Sequence, residues 1–292
     1  MGLNGNSFAP LLLGFGCSVP AILSTRRIEG RNDRLVTIAI LPMMSCAGRL
    51  PIYMMFVSAL FPSHLQATVL FGIYAAGILL ALLCARLLKN TFFKTVQRDA
   101  PHRLKRLRIP SLRKVGLLMW SRAFMYVRKA GTFILGASII LWFLNTYPRP
   151  EEGTAENAAA AMEHSYAGQI GHWMEPVTRV AGFDWKVNSA LLGAFAAKEI
   201  FVTQMGILYA VQDGDSGPEA QQTLNTRLKA SYTPLQGISI MIFCLIALPC
   251  IGTVTVAKRE AGTWWFALAQ FAGLTVMGFV TATVVYQVGL LL

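Results

Sequence analysis

The sequence predicts an all-α fold: a polytopic transmembrane helical bundle with broken or re-entrant helices in two related repeats. Three observations carry this expectation. The 292 residues are 54% hydrophobic and 14% charged, where a soluble domain carries about 25% charged residues, and mean hydropathy is +0.51. Several apolar runs exceed the ~20 residues that cross a bilayer core. Glycine, proline and cysteine interrupt those runs at corresponding places in the two halves of the chain.

The apolar runs cover 7–25, 35–61, 65–88, 117–147, 185–211, 235–257 and 263–292, seven membrane segments if each is counted once. The first holds "GFGCSVP" at 14–20, and the second holds "PMMSCAGRLP" at 42–51. Two basic stretches, "RRIEGRNDR" at 26–34 and a long loop at 86–114, are two segments apart and fall on one side, as the positive-inside rule requires. In the fourth run, "LLMWSRAFMYVRK" mixes Arg122, Arg128 and Lys129 with aromatics and reads as an interfacial amphipathic helix, which leaves 130–147 as the span. The acidic stretch 148–184 belongs outside, with a surface helix in its alanine-rich part. If 185–211 crossed fully, the "KRE" at 258–260 would lie outside, against the charge rule. A re-entrant hairpin at 185–211 places it inside, and this version is expected.

The net charge of +12 is spread over loops between apolar runs. That pattern suits anionic lipid headgroups and membrane orientation, and it points away from nucleic acid. Cys17, Cys46, Cys84, Cys244 and Cys250 lie in apolar runs, and an odd count placed there argues against a disulfide framework. No phosphate-binding loop, HExxH, GxSxG or CxxC occurs, so no soluble-enzyme chemistry is indicated.

"LLGFGCSVPAI" at 12–22 resembles "LLGAFAAKEI" at 191–200, and each precedes an apolar run with a proline near a cysteine, "PMMSC" and "LPC". Breakers in matching positions of two halves point to a transporter binding site. A broken helix leaves backbone groups unpaired, which survives only inside protein or beside a wet cavity. The candidate ligands are therefore Cys17, Cys46, Cys250, Met44 and Glu199. Sulfur and carboxylate together suit a soft or borderline divalent metal. Glu199 is a mid-segment carboxylate in "FAAKEIFVTQMG", and Lys198 beside it is read as a structural or field-tuning cation. Asn188, Gln204 and Gln287 are expected to bridge helices, Arg49 to bond freed carbonyls, and the four histidines to lie in solvated loops.

The stretches "GNSFAPLLLGFGCSVPAILSTRRIEGRNDRL", "PMMSCAGRLPIYMMF", "GFDWKVNSALLGAFAAKEIFVTQMGILY" and "LPCIGTVTVAKREAGTWWFAL" resemble, in order, the membrane region of the FeoB ferrous iron transporters. The resemblance implies two Gate repeats: 1–61 as part of the first, 62–129 as a middle region with a basic cytoplasmic loop, and 130–292 as the second with the C-terminal helices. It implies Fe²⁺ uptake across a bacterial inner membrane, with Cys17, Cys46 and Cys250 as Gate cysteines and Glu199 as the glutamate of the "AAKE" motif. It departs from the family at Ser18, where Asn is usual, and in the middle region, where "RDAPHRLKRLRIP" replaces "ELPPYRLP". The family's G domain is not in this chain, so GTP and Mg²⁺ are expected on a separate or missing polypeptide that also carries the early membrane helices. A small FeoA-like protein is a further expected partner. Two rival readings are a Gate-type transporter of another solute, a nucleoside or organic anion, and a membrane fragment that transports nothing.

Overall fold

The computed structural model describes residues 5–91, 111–148, 162–209 and 218–291. Among the described residues the elements are helical, with no strand. The run at 7–25 does not cross as one span. Its two helices, α1 (Phe8–Gly14) and α2 (Ser18–Ser24), fold against each other about an extended Cys17. A seven-residue helix reaches only about 10 Å, so this hairpin enters the bilayer and returns. Next come α3 (Arg31–Ile40) and α4 (Leu50–Leu60), two halves of one span interrupted at 41–49, and then the continuous α5 (Ser63–Thr91).

The second half repeats this order. After α6 (Leu112–Thr146) and α7 (Tyr166–Thr178), the hairpin is α8 (Trp185–Ala196) and α9 (Lys198–Leu208), folded about an extended Ala197. Gly193 makes that fold possible, because Ile200 and Gln204 of the returning arm press against its bare Cα. The surface helix α10 (Pro218–Ser231) leads to an interrupted span, α11 (Pro234–Ile246) and α12 (Ile251–Ala261), and to the continuous α13 (Trp264–Leu291). The expected re-entrant hairpin at 185–211 is present.

The halves interlock. The returning arm α9 packs on α4, and the returning arm α2 packs on α12, so each hairpin is held by the other half's broken span. The broken spans are 61% and 56% buried inside the protein, while the continuous α5 and α13 are 17% buried each. The unbroken helices thus form the lipid-facing wall, with Phe71, Leu79, Leu87, Val276 and Leu290 outward. Backbone that cannot bond to itself is kept away from lipid.

Two expectations change. The interfacial helix and the span read at 117–147 belong to one continuous helix, α6. His64 and His172 sit on α5 and α7, within helices and not in loops. His102 and most of the basic loop at 86–114 lie outside the described residues, as does the first part of the alanine-rich tract.

Side-chain pairing shows which stretches share a side. The buried Glu260 carboxylate accepts from Arg26 Nε at 2.9 Å, Arg26 Nη2 at 2.5 Å and Arg34 Nη2 at 2.8 Å. Lys89, at the end of α5, reaches Asp33 at 3.4 Å. The "KRE" stretch therefore lies on the same side as both basic stretches. On the opposite side α10 packs on α4, and Tyr232 donates to Asp184 at 2.9 Å.

The polar residues expected to bridge helices do so. Asn188 Nδ2 donates to Gly171 O at 3.1 Å and Thr178 Oγ1 at 2.8 Å, Gln204 Nε2 to Asn145 Oδ1 at 3.1 Å, and Gln287 Nε2 to Val180 O at 2.8 Å. Glu260 has the more consequential role, since it ties α12 of one half to the hairpin exit and α3 of the other. Both arginines are partly solvated, with side chains 50% and 29% exposed, so Glu260→Gln is expected to lower stability by about 1–2 kcal/mol, below the range for a fully buried pair. Thermal unfolding in detergent measures this, and Arg26→Gln alone is expected to shift the midpoint less.

Candidate functional site

The backbone breaks touch in pairs, Gly16 with Ala47, Gly48 with Glu199 and Val19 with Gly252, and they share a local design. Cys17 (φ −155°, ψ 132°) and Ala197 (φ −149°, ψ 134°) are the extended residues that begin the returning arms α2 and α9. Cys46 (φ −74°, ψ 160°) and Cys250 (φ −62°, ψ 157°) are the extended residues from which the second halves of the broken spans start. In three of four equivalent posts the residue is cysteine. Its side chain stands where a helix N-terminus presents unbonded N–H groups and partial positive charge.

Local chemistry explains the breaks. Pro42 opens a single 3₁₀ turn after α3, and Pro249 cannot donate to the ladder of α11. Leu248, just before Pro249, has φ +53°, a left-handed conformation unusual for a leucine, and such residues gather at functional sites and cost on the order of 1–3 kcal/mol. The freed backbone groups are then satisfied across elements. Ala47 N–H donates to Gly16 O at 3.2 Å, which joins the first hairpin tip to the first broken span. Arg49 Nη1 donates to Met44 O at 3.2 Å, the role expected of it. Gly14 lets Met44 close over the hairpin, since a Cβ there would sit 3.1 Å from Met44 Cβ.

The structure places the five predicted residues as follows. Cys17, Cys46 and Cys250 are partly exposed at the breaks. The Cys250 thiol lies 3.2 Å from Thr253 Oγ1. Glu199 is exposed in the first turn of α9, where a carboxylate is favoured by the helix dipole. Its carboxylate lies against Gly48, two residues past Cys46, so a Cβ at Gly48 would stand 2.8 Å from Oε1. The turn that follows Cys46 and the Glu199 carboxylate are thus brought together from opposite halves. Met44 is buried, packed between the first hairpin and its broken span. Among the described residues no three His, Cys, Asp or Glu side chains stand close enough to hold a metal ion together.

Chain comparisons follow the same layout. The family model described as nucleoside recognition, Gate, matches residues 1–60 and 127–264, most of the chain. The chain belongs to the Gate family. The model described as the C terminus of ferrous iron transport protein B matches 70–122. A fusion protein of Fe(2+) transport protein A and Fe(2+) transporter FeoB from Porphyromonas gingivalis is 38% identical over 100% of this chain and 38% of its own length. Fe(2+) transporter FeoB from Campylobacter jejuni is 35% identical over 96% of this chain and 46% of its own length, and that from Staphylococcus aureus 37% over 99% and 41%. The chain thus spans less than half the length of these FeoB relatives. No solved structure matches it.

Three features of this Gate core were not legible beforehand. The Gly16–Ala47 bond joins residues whose pairing no motif announces. Glu260 was visible only as part of "KRE". The third is the seating of Lys198, which is 5% exposed and has its Cβ against Gly48. The only signal for that seating was a lysine in the middle of an apolar run.

Exposure separates the thiols. In variants of this chain that keep one cysteine each, Cys17, Cys46 and Cys250 are expected to react with a water-soluble maleimide at least about tenfold faster than Cys244, which is 1% exposed. Mass spectrometry of the native protein reads the rates, and equal labelling of all four would show that the breaks do not border water.

Proposed function

We propose that this chain forms the membrane passage of a ferrous iron transporter, with Fe²⁺ as cargo and the bacterial inner membrane as its site. The observation that carries the reading is the convergence of the cysteine-headed half-helices with the carboxylate of Glu199 set against the Cys46 loop. Thiol sulfur and a carboxylate oxygen suit a borderline divalent metal. An arrangement of partly exposed ligands, not a closed cage, suits transfer from site to site. The names of the relatives, and the second family model, point to the same cargo.

In this reading Cys17, Cys46 and Cys250 line the route, Glu199 attracts or gates the ion, and the Met44 thioether backs the first hairpin. Residues 1–61 are part of the first Gate repeat, 62–129 the middle region and 130–292 the second repeat with the outside loop 148–184. The chain is a transporter component and not an enzyme. Energy coupling would come from a companion polypeptide bearing a GTP- and Mg²⁺-binding domain and the early membrane helices. A small FeoA-like protein is a second partner, in keeping with the fused relative.

Uptake of radioactive ferrous iron tests this in cells lacking their own ferrous transporter, with the companion half supplied. Cys17→Ser combined with Cys46→Ser is expected to reduce uptake about tenfold or more, as loss of metal-binding groups does, with a smaller loss for Glu199→Gln. Excess Mn²⁺ is expected to compete and excess nucleoside to have no effect. Unchanged uptake in the double variant would remove the thiol route. Competition by nucleoside alone would assign the Gate core to that class of solute.

A further inference from the structure

Gln270 is a polar side chain on a helix that mostly faces lipid. It stands two turns into α13, a span that is 17% buried. An amide is costly among acyl chains and is ordinarily turned toward another helix. Gln270 is turned inward. Its Nε2 donates to Ile38 O at 2.8 Å and to Ala39 O at 3.3 Å. Both carbonyls belong to the last turn of α3, in the other half of the chain.

Ile38 O is the carbonyl that the first break strands. In an unbroken α-helix it would accept from the N–H of residue 42. That residue is Pro42, which has no N–H. Leu41 N–H still reaches Thr37 O, so the helical ladder holds up to the proline. Beyond it, Met44 N–H bonds back only to Leu41 O at 3.1 Å, the three-residue spacing of a 3₁₀ turn. Ile38 is 0% exposed, and a buried carbonyl without a donor is destabilising. The Gln270 amide supplies the donor.

The same face of α13 serves the second break. Gly278 lies eight residues on, about two turns and on the same side, with buried Leu274 between them. A Cβ at Gly278 would stand 2.8 Å from Ala247 Cβ and 3.1 Å from Ala247 N, where α11 ends ahead of Leu248 and Pro249. One continuous helix thus braces both breaks, with a side-chain amide at the first and a bare backbone at the second.

We infer that Gln270 is the positioning residue of the first break: its side-chain amide replaces the N–H that Pro42 lacks, and so fixes the segment 41–49 from which Cys46 is presented. Gln270 touches no ion. In the proposed passage it sets where the Cys46 thiol stands, and that consequence rests on the iron reading. The replacement of the N–H does not.

Maleimide labelling of the purified full chain tests the inference, in variants that keep either Cys46 or Cys250 as the single cysteine. Gln270→Met keeps the length and removes the donor. It is expected to raise the labelling rate of Cys46 about three- to tenfold, the opening that loss of one hydrogen bond permits, and to leave Cys250 within about twofold. Pro42→Ala restores a backbone N–H at that position, and in its background Gln270→Met is expected to leave the Cys46 rate unchanged. If the Pro42→Ala chain does not fold, the comparison of Cys46 with Cys250 decides by itself. An unchanged Cys46 rate in Gln270→Met overturns the inference. So does an equal rise at Cys46 and Cys250, which would mark general loosening, and so does the same rise with alanine at position 42. None of these outcomes touches the passage, which is judged by uptake, and loss of the thiol route by uptake would leave the Gln270 anchor standing.

Discussion

The constraint on which this architecture depends is the need of every interrupted backbone for a partner that lipid cannot supply. Each unsatisfied peptide group in hydrocarbon costs several kcal/mol, so four breaks in one membrane protein can exist only if the breaks find one another or water. They do so here. The first hairpin tip bonds to the first broken span through Gly16 and Ala47, and Arg49 caps the carbonyl freed at Met44. The broken spans are drawn inward, and the continuous α5 and α13 take the lipid face. Lipid-facing and interior helices are thereby sorted by backbone continuity as much as by side-chain polarity.

From that sorting the chemistry follows. A break leaves a helix start, and a helix start leaves unbonded N–H groups and a partial positive charge. Cysteine at such a start presents its sulfur where unbonded backbone N–H groups gather. Cys17, Cys46 and Cys250 occupy three equivalent posts. The fourth holds Ala197, followed at once by Lys198 and Glu199. The two hairpins share a backbone plan and differ in what they bring: sulfur from one, an ammonium and a carboxylate from the other.

How much of this could be read from the sequence depended on how local each feature was. The breaks, the repeat and the helix-bridging amides Asn188, Gln204 and Gln287 were legible, because glycine, proline and intramembrane polar residues stand out within a short window. The hairpin at 185–211 was inferred from charge balance, and the Arg26–Glu260 and Arg34–Glu260 pairs bear it out. Those pairs were not legible in themselves, since 234 and 226 residues separate the partners. The continuity of α6 was missed for a different reason: its aromatic and basic start reads as interfacial, and no pattern shows that the next turn follows without interruption.

The reciprocal seating of the hairpins has a mechanical consequence. Because α2 rests on α12 while α9 rests on α4, neither repeat can tilt as an independent lever. A shift of either re-entrant arm is transmitted to the opposite repeat's segmented helix, and through the Glu260 carboxylate back to the loop that follows the first arm. The two halves are thus cross-braced, each re-entrant arm seated on the opposite half's segmented helix.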